Sequence, residues 1–559
     1  LDRLLPATLA AGLLFSIHRL GLTMLRKPRR CTAGVDEPEQ APTSDGAVRS
    51  AAADDSQTSQ TKTTQDGQTG TTSAGSPQKA LRRSTGDRVK ICLIYLLLTA
   101  GSVIWIRCLQ QTPPRQHREI KPLWVLYDPS SSGYFFEAAF RMTSVRRFLA
   151  GYEERMGQGD VLHVGTHPPG LFLLSRLCLD LCEHAPGLAS AVQVTVSPHA
   201  VRAFRTVEAE ARLAPALSAT QLAALQLLSL FMELAISLTI LPLAFVGGYC
   251  FDRRTVWQIC CLWPTLPALS IFCPKSDVLF PLTGMLVIAG TVASLQQPRR
   301  WWSAVVSGIV LWCGLMLSLA HLPVLVLLLI FAAAEFLVTE RPRSTHLLWI
   351  IGVLITTVAV CTVLFSITMN CNLGRVWLLN LTNHAGFYEQ YPRTAWKWLL
   401  ANIPELAFAV GLPMFTAAVV SVTAQMRTYC RSALTTSAAT EVPADAAFLP
   451  ERTHGGSSAD NRMTTAIFCT AAGFTMLSLW LSGKNHGEAA RLWCFLMPWI
   501  ALCTGPVIRQ SIQNSGNKPF ASGPARVRSV DVARVLSACL LLQLVVSVLT
   551  VSRVSGFSF

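Results

Sequence analysis

The chain has 559 residues, of which 51% are hydrophobic and only 14% charged, and its mean hydropathy is +0.40. That composition excludes a soluble multidomain protein and indicates an integral membrane protein. The net charge of +15 does not indicate nucleic acid, because Arg and Lys occur in short clusters beside apolar runs, not in a continuous basic face interleaved with aromatics.

Residues 1–24 hold a short apolar stretch interrupted by His18 and Arg19 and followed by Arg26, Lys27, Arg29 and Arg30. With Asp2 at its head it is a poor signal peptide and reads either as an interfacial helix or as an artefact of start assignment. Thr43 to Ser76 is rich in Ser, Thr, Gln and Gly and cannot bury a core, so residues 1–90 are expected to be a largely disordered cytoplasmic segment. Apolar runs then predict spans at 91–106, 221–250, 255–273, 278–295, 304–319, 322–338, 347–368, 406–425, 464–481, 492–508 and 536–551. The expected fold is therefore an all-α polytopic membrane protein of about eleven transmembrane helices, each near the ~20 residues a bilayer requires. The 17 cysteines fall mostly inside these runs, without CxxC or Cys/His ligand spacing, and read as buried small hydrophobes.

Alternation puts Arg82/Arg83/Arg88/Lys90, Arg253/Arg254, Arg299/Arg300, Arg341/Arg343, Arg427/Arg431 and Arg526/Arg528 on one side, which the positive-inside rule makes cytoplasmic. The segment 427–463 is then expected to be a disordered cytoplasmic loop, and 511–559 a cytoplasmic loop with the last span. The segment 107–220, the Pro274–Asp277 turn, His321, the 370–405 segment and the 482–491 loop are expected outside. The acids, bases and cations of these outer pieces share one face, as chemistry or binding there would require.

The first outer loop, 107–220, carries juxtamembrane helices. Ser130, Ser131 or Ser132 can cap a helix starting near Gly133, whose Phe136, Phe140, Val145 and Phe148 form a stripe suited to the membrane surface. Asp128 precedes this helix and Glu137 lies inside it. A carboxylate there stays ionised and can act as a base, or Asp128 is only a turn residue. His163 and His167 are four apart, but Gly165 and Pro168 argue against a shared helix and so against zinc; a ring offered to a phosphate or hydroxyl fits better. His384 belongs to the same outer set. Lys275 and Asp277 occupy a tight turn and either face a headgroup or simply snorkel and cap. Lys484 and Arg491 can hold a phosphate, with Glu488 to Arg491 as a rival internal ion pair.

The order of these features resembles the GT-C superfamily of membrane glycosyltransferases. They are Asp128 before a surface helix, His167-Pro168-Pro169, Pro274 to Asp277, and the late run Gly487 to Trp493. The chain looks most like the group around the protein mannosyltransferases and the lipid A aminoarabinose transferase, over residues 91 to about 510. The resemblance implies transfer of a sugar from a polyprenyl-phosphate donor to an extracytoplasmic hydroxyl on a lipid, glycan or protein. It also implies that Asp128 deprotonates the acceptor. The usual adjacent acidic pair is absent, since Pro129 follows Asp128, so Glu137 or Asp277 can share the role. Lys275, Lys484 and Arg491 would meet the leaving phosphate. No metal site is assigned; a divalent cation is left open. The alternative is a transporter or flippase working through the intramembrane Glu233, although no inverted repeat of broken helices is visible.

Overall fold

The computed structural model describes residues 2–25, 77–161, 165–338, 341–439, 458–483, 488–516, 532–554 and 556–557. Two compact units are distinguished, Leu1–Met24 with Ile94–Phe559, and Leu25–Leu93, whose described part is the start of one helix. Every regular element among the described residues is helical. Nine helices are long and apolar enough to cross a membrane, ten if one bent pair counts as a span. The chain is an all-α polytopic integral membrane protein.

The described residues thus give nine or ten such spans where about eleven were expected, and the difference has identifiable causes. Residues 255–273 break into α12 (Arg253–Leu262), a 3₁₀ turn and α13 (Pro267–Phe272). Residues 492–508 break into α22 (Ala489–Leu492), a 3₁₀ turn, α23 (Met497–Cys503) and α24 (Gly505–Gly516). Pro264, Pro267, Pro498 and Pro506 stand at or beside the breaks, each lacking an amide donor. Thr255 to Val278 is buried without interruption, as broken backbone at membrane depth must be. The expected span 406–425 is bent by 114° between α19 (Ala395–Val410) and α20 (Leu412–Ala439). Gly411 makes the corner at φ +90°, and a Cβ there would lie 2.2 Å from the Gln543 amide, which donates to Val410 O at 2.8 Å.

The N-terminal stretch is a helix long and apolar enough to cross a membrane. It forms α1 (Leu5–Met24), which packs against α12 and α25 (Val532–Val551). His18 Nε2 pairs with Gln258 Oε1 at 2.7 Å, Gln258 donates to Leu536 O, and Trp257 donates to His18 O. Residues 427–439 and 458–463, expected to be disordered, are the helical ends of α20 and α21 (Ser458–Leu481); only 440–457 lies outside the described residues. The helix α2 (Pro77–Leu109) likewise begins before residue 91.

The loop after α2 folds as α3 (Arg115–Tyr127), α4 (Tyr134–Phe140), α5 (Val145–Ala150), α6 (Tyr152–Gly157), α7 (Gly170–His184), α8 (Pro186–Gln193) and α9 (Pro198–Ala211). Of its expected apolar stripe, Val145 is exposed and Phe140 and Phe148 are half-buried. Phe135 and Phe136 are buried, Tyr127 meets Phe136 and Phe204 edge-on, and Tyr134 and Tyr152 meet Phe172 edge-on. The serines do not cap α4 either, whose N-cap is Gly133. Ser130 and Ser131 hydroxyls donate to the Asp128 carboxylate, and Ser132 donates to Val125 O.

The remaining bundle helices are α10 (Ala219–Leu238) with α11 (Ile240–Cys250), α14 (Phe280–Gln296), α15 (Trp302–Leu317), α16 (Leu322–Val338) and α17 (Arg341–Met369). α18 (Leu373–Gln390) packs on α6, where Asn380 and Asn383 each donate to Gly165 O at 2.9 Å.

Candidate active site

The turn between α13 and α14 carries the centre of the site. Its Cys273–Pro274 bond is cis, and Lys275 follows, 3% exposed, with Nζ donating to Ser131 O at 2.7 Å. That bond ties the turn to the Asp128–Gly133 turn, where the Asp128 carbonyl accepts from the amides of Ser131, Ser132 and Gly133. Burial and the Arg491 guanidinium push the Lys275 ammonium down to about 7, against the pull of Asp277, Glu488 and Asp128. Among the described residues Lys275 makes one hydrogen bond, so two of its three donors are unused.

Arg491 comes from the short helix α22. Its guanidinium donates to Glu488 at 2.6 Å, while its Nε is buried without a partner among the described residues. Glu405, on α19, accepts from Ala490 N at 3.1 Å and so fixes the start of α22. The buried Asp277 feels Arg491, Lys275 and Tyr134. Tyr134 stands against Ser276 without a well-formed hydrogen bond to its hydroxyl, and burial with the nearby Asp277 raises that hydroxyl well above the ordinary tyrosine value.

Beside Arg491 opens a cavity of ≈ 460 Å³ with apolar walls from Ile271, Phe272, Phe408 and Val554 and a polar edge of Glu405, Glu488 and Arg491. The arrangement suits an amphiphile, with an anionic group against the cations and a hydrocarbon part along the walls.

Of the residues expected at the site, Asp128, Lys275, Asp277, Glu488 and Arg491 come together. Glu137 does not join them: both its oxygens are taken, by Arg141 at 2.8 Å and by Arg155, which ties α4 to α6. His167 lies nearer, its ring 5.4 Å from that of Tyr134, and its carbonyl accepts from Tyr152 and Asn380. His384 is on α18, its ring 5.8 Å from that of Tyr388. His163 and Lys484 lie outside the described residues. No group of three or more His, Cys, Asp or Glu among the described residues is placed to hold a metal ion.

Sequence reasoning missed Tyr134, Glu405 and Lys121. Tyr134 was read as part of an apolar surface helix, and Glu405 as the flank of a span. Lys121 is 5% exposed, and its Nζ donates to Ser270 O at 2.9 Å and Ile271 O at 2.6 Å, at the end of α13.

Glu233 is ion-paired. Arg107 Nε donates to it at 2.6 Å, beside a separate ≈ 230 Å³ cavity lined by Gln110, Glu119, Gln226 and Ser229. Glu233→Gln is expected to lower the thermal midpoint, because Arg107 loses its counter-charge, and to leave turnover of the site above within about 3-fold. A loss of activity larger than that, in a folded variant, would return Glu233 to the working residues.

An integral membrane protein with a buried lysine and a partly buried arginine beside an apolar cavity is the class defined by fold and site. No family model matches the sequence, and no curated protein matches it. Among solved structures the chain is similar to the Archaeoglobus fulgidus oligosaccharyltransferase, with a TM-score of 0.40 and 10% identity over 78% of this chain and 54% of that one. The chain spans about half the length of that enzyme.

Proposed function

We propose that the protein is a membrane glycosyltransferase that moves a sugar from a polyprenyl-phosphate donor to an acceptor hydroxyl. The observation that carries this reading is the pair of the buried Lys275 and the partly buried Arg491, both with unused donors, beside an apolar cavity bordered by Arg491. A buried cation without a full set of partners is costly, and a phosphate supplies the missing acceptors. The cavity walls suit the isoprenoid chain that such a phosphate would bring.

In this mechanism the acceptor oxygen bonds to the anomeric carbon as the bond from that carbon to the phosphate oxygen breaks. The acceptor proton passes to the Asp128 carboxylate, which the Ser130 and Ser131 hydroxyls hold in place. The departing phosphate keeps the electron pair, and Lys275 and Arg491 stabilise its charge. Asp277 places a negative charge near Arg491 and Lys275, and Glu137 braces α4, which carries Tyr134. His163, His167, His384 and Lys484 are proposed to contact donor or acceptor, and Glu488 to orient Arg491. The distribution of arginine pairs supports an extracytoplasmic active face.

The test is to incubate purified protein with a panel of polyprenyl-phosphate sugars and measure released polyprenyl phosphate. Release with one sugar, dependent on acceptor, is the expected result. No release above background with any sugar or acceptor class would overturn the reading.

A further inference from the structure

Described residues beyond α25 lie against the site. Val554 and Gly556 line the apolar cavity. Gly556, at φ +74°, lies so close to Ile271 that a Cβ would come within 2.5 Å of its side chain. Phe557 then sits with its ring centroid 5.9 Å from Lys121 Nζ and 6.0 Å from Lys275 Nζ, edge-on to Phe272 at 6.2 Å. These two lysines are 5% and 3% exposed, and among the described residues neither has a carboxylate within ion-pair distance; their hydrogen bonds go to backbone carbonyls.

A carboxylate in that place would neutralise the ammoniums and compete with any incoming anion. The negative face of an aromatic ring steadies a cation without cancelling its charge. We propose that Val554, Gly556 and Phe557 complete the donor site, with Phe557 as the positioning residue that holds Lys275 charged and ready for the donor phosphate. This rests on the polyprenyl-phosphate reading above and extends it to a part of the chain in which sequence reasoning placed no function.

The groups facing Lys275 are Arg491, Asp277, Glu488 and Asp128, besides the Phe557 ring. Between pH 6 and 8 the ammonium, held near 7 by burial and Arg491, changes its charge. Leucine at 557 keeps the apolar bulk but has no π face, so it lowers the ammonium further; tyrosine keeps the face.

The experiment is binding of polyprenyl phosphomannose, a phosphodiester that does not titrate in this range, to the full-length protein in detergent at pH 6 and pH 8. Phe557→Leu should bind about 10-fold more weakly than the unaltered protein at pH 8 and within about 2-fold at pH 6, with Phe557→Tyr close to unaltered at both. A chain ending after Arg553 should lose affinity at both pH values, because a cavity wall goes with the ring. Equal binding by Phe557→Leu and the unaltered protein at pH 8, or a deficit independent of pH, would overturn the inference alone. Failure of the unaltered protein to bind polyprenyl phosphomannose or any other polyprenyl-phosphate sugar of the panel would overturn it together with the reading on which it rests.

Discussion

Replacing Arg491 with alanine is expected to weaken polyprenyl-phosphate donor binding by about 30-fold, or ~2 kcal/mol. Arg491 is the guanidinium on the edge of the apolar cavity, and its buried Nε has no partner among the described residues. Arg491→Lys should restore only part of the loss, since a point charge cannot reproduce the planar fork. Donor affinity should also fall as pH rises above about 7, where Lys275 loses its proton, and Lys275→Arg should flatten that dependence because arginine stays charged. Removing the Arg491 guanidinium also leaves Glu488 with only the long Arg393 pair at 4.0 Å, so thermal midpoints must accompany the titrations. Unchanged affinity in a folded Arg491→Ala protein would leave that residue as an anchor of the helix end.

For Asp128→Asn the expected outcome is a fall in turnover of on the order of 10²-fold or more with donor binding retained, the usual scale for losing a positioned base. The change keeps the side chain's shape and one acceptor for the Ser130 and Ser131 hydroxyls, so the turn carrying Ser131 O to Lys275 should survive. Asp277→Asn is expected to weaken donor binding as well, because Asp277 faces Arg491 and Lys275 together. Glu137→Gln should act on stability, leaving Arg141 and Arg155 without their shared partner. Single-turnover kinetics with bound donor separates these effects. Full activity in both Asp128→Asn and Asp277→Asn would sink the proposed mechanism.

The span 322–338 was legible because an unbroken apolar run of that length has few alternatives to a helix, and α16 has those bounds. The runs 255–273 and 492–508 were equally apolar, yet hydropathy measures composition and not continuity, so only their prolines signalled the breaks. The docking of α1 was beyond reach, since His18 finds its partner 240 residues away. At the site, Lys275, Asp277 and Arg491 could be grouped because alternation of spans brings loops to one end. Glu137 misled because its capture by Arg155 depends on how α6 packs. Glu405 and Phe557 carried no local signal, because each acts on a residue more than eighty positions away.

The uninterrupted burial of Thr255 to Val278 has a bearing on how the protein is made. This stretch is buried within the protein, and α12 within it is covered by α1 and α25. During synthesis it leaves the ribosome before α25 exists, so its burial is complete only once α25 has been made. Arg491 and Phe557 are also late in the sequence, so shortened nascent chains would hold most of the bundle and none of the complete site.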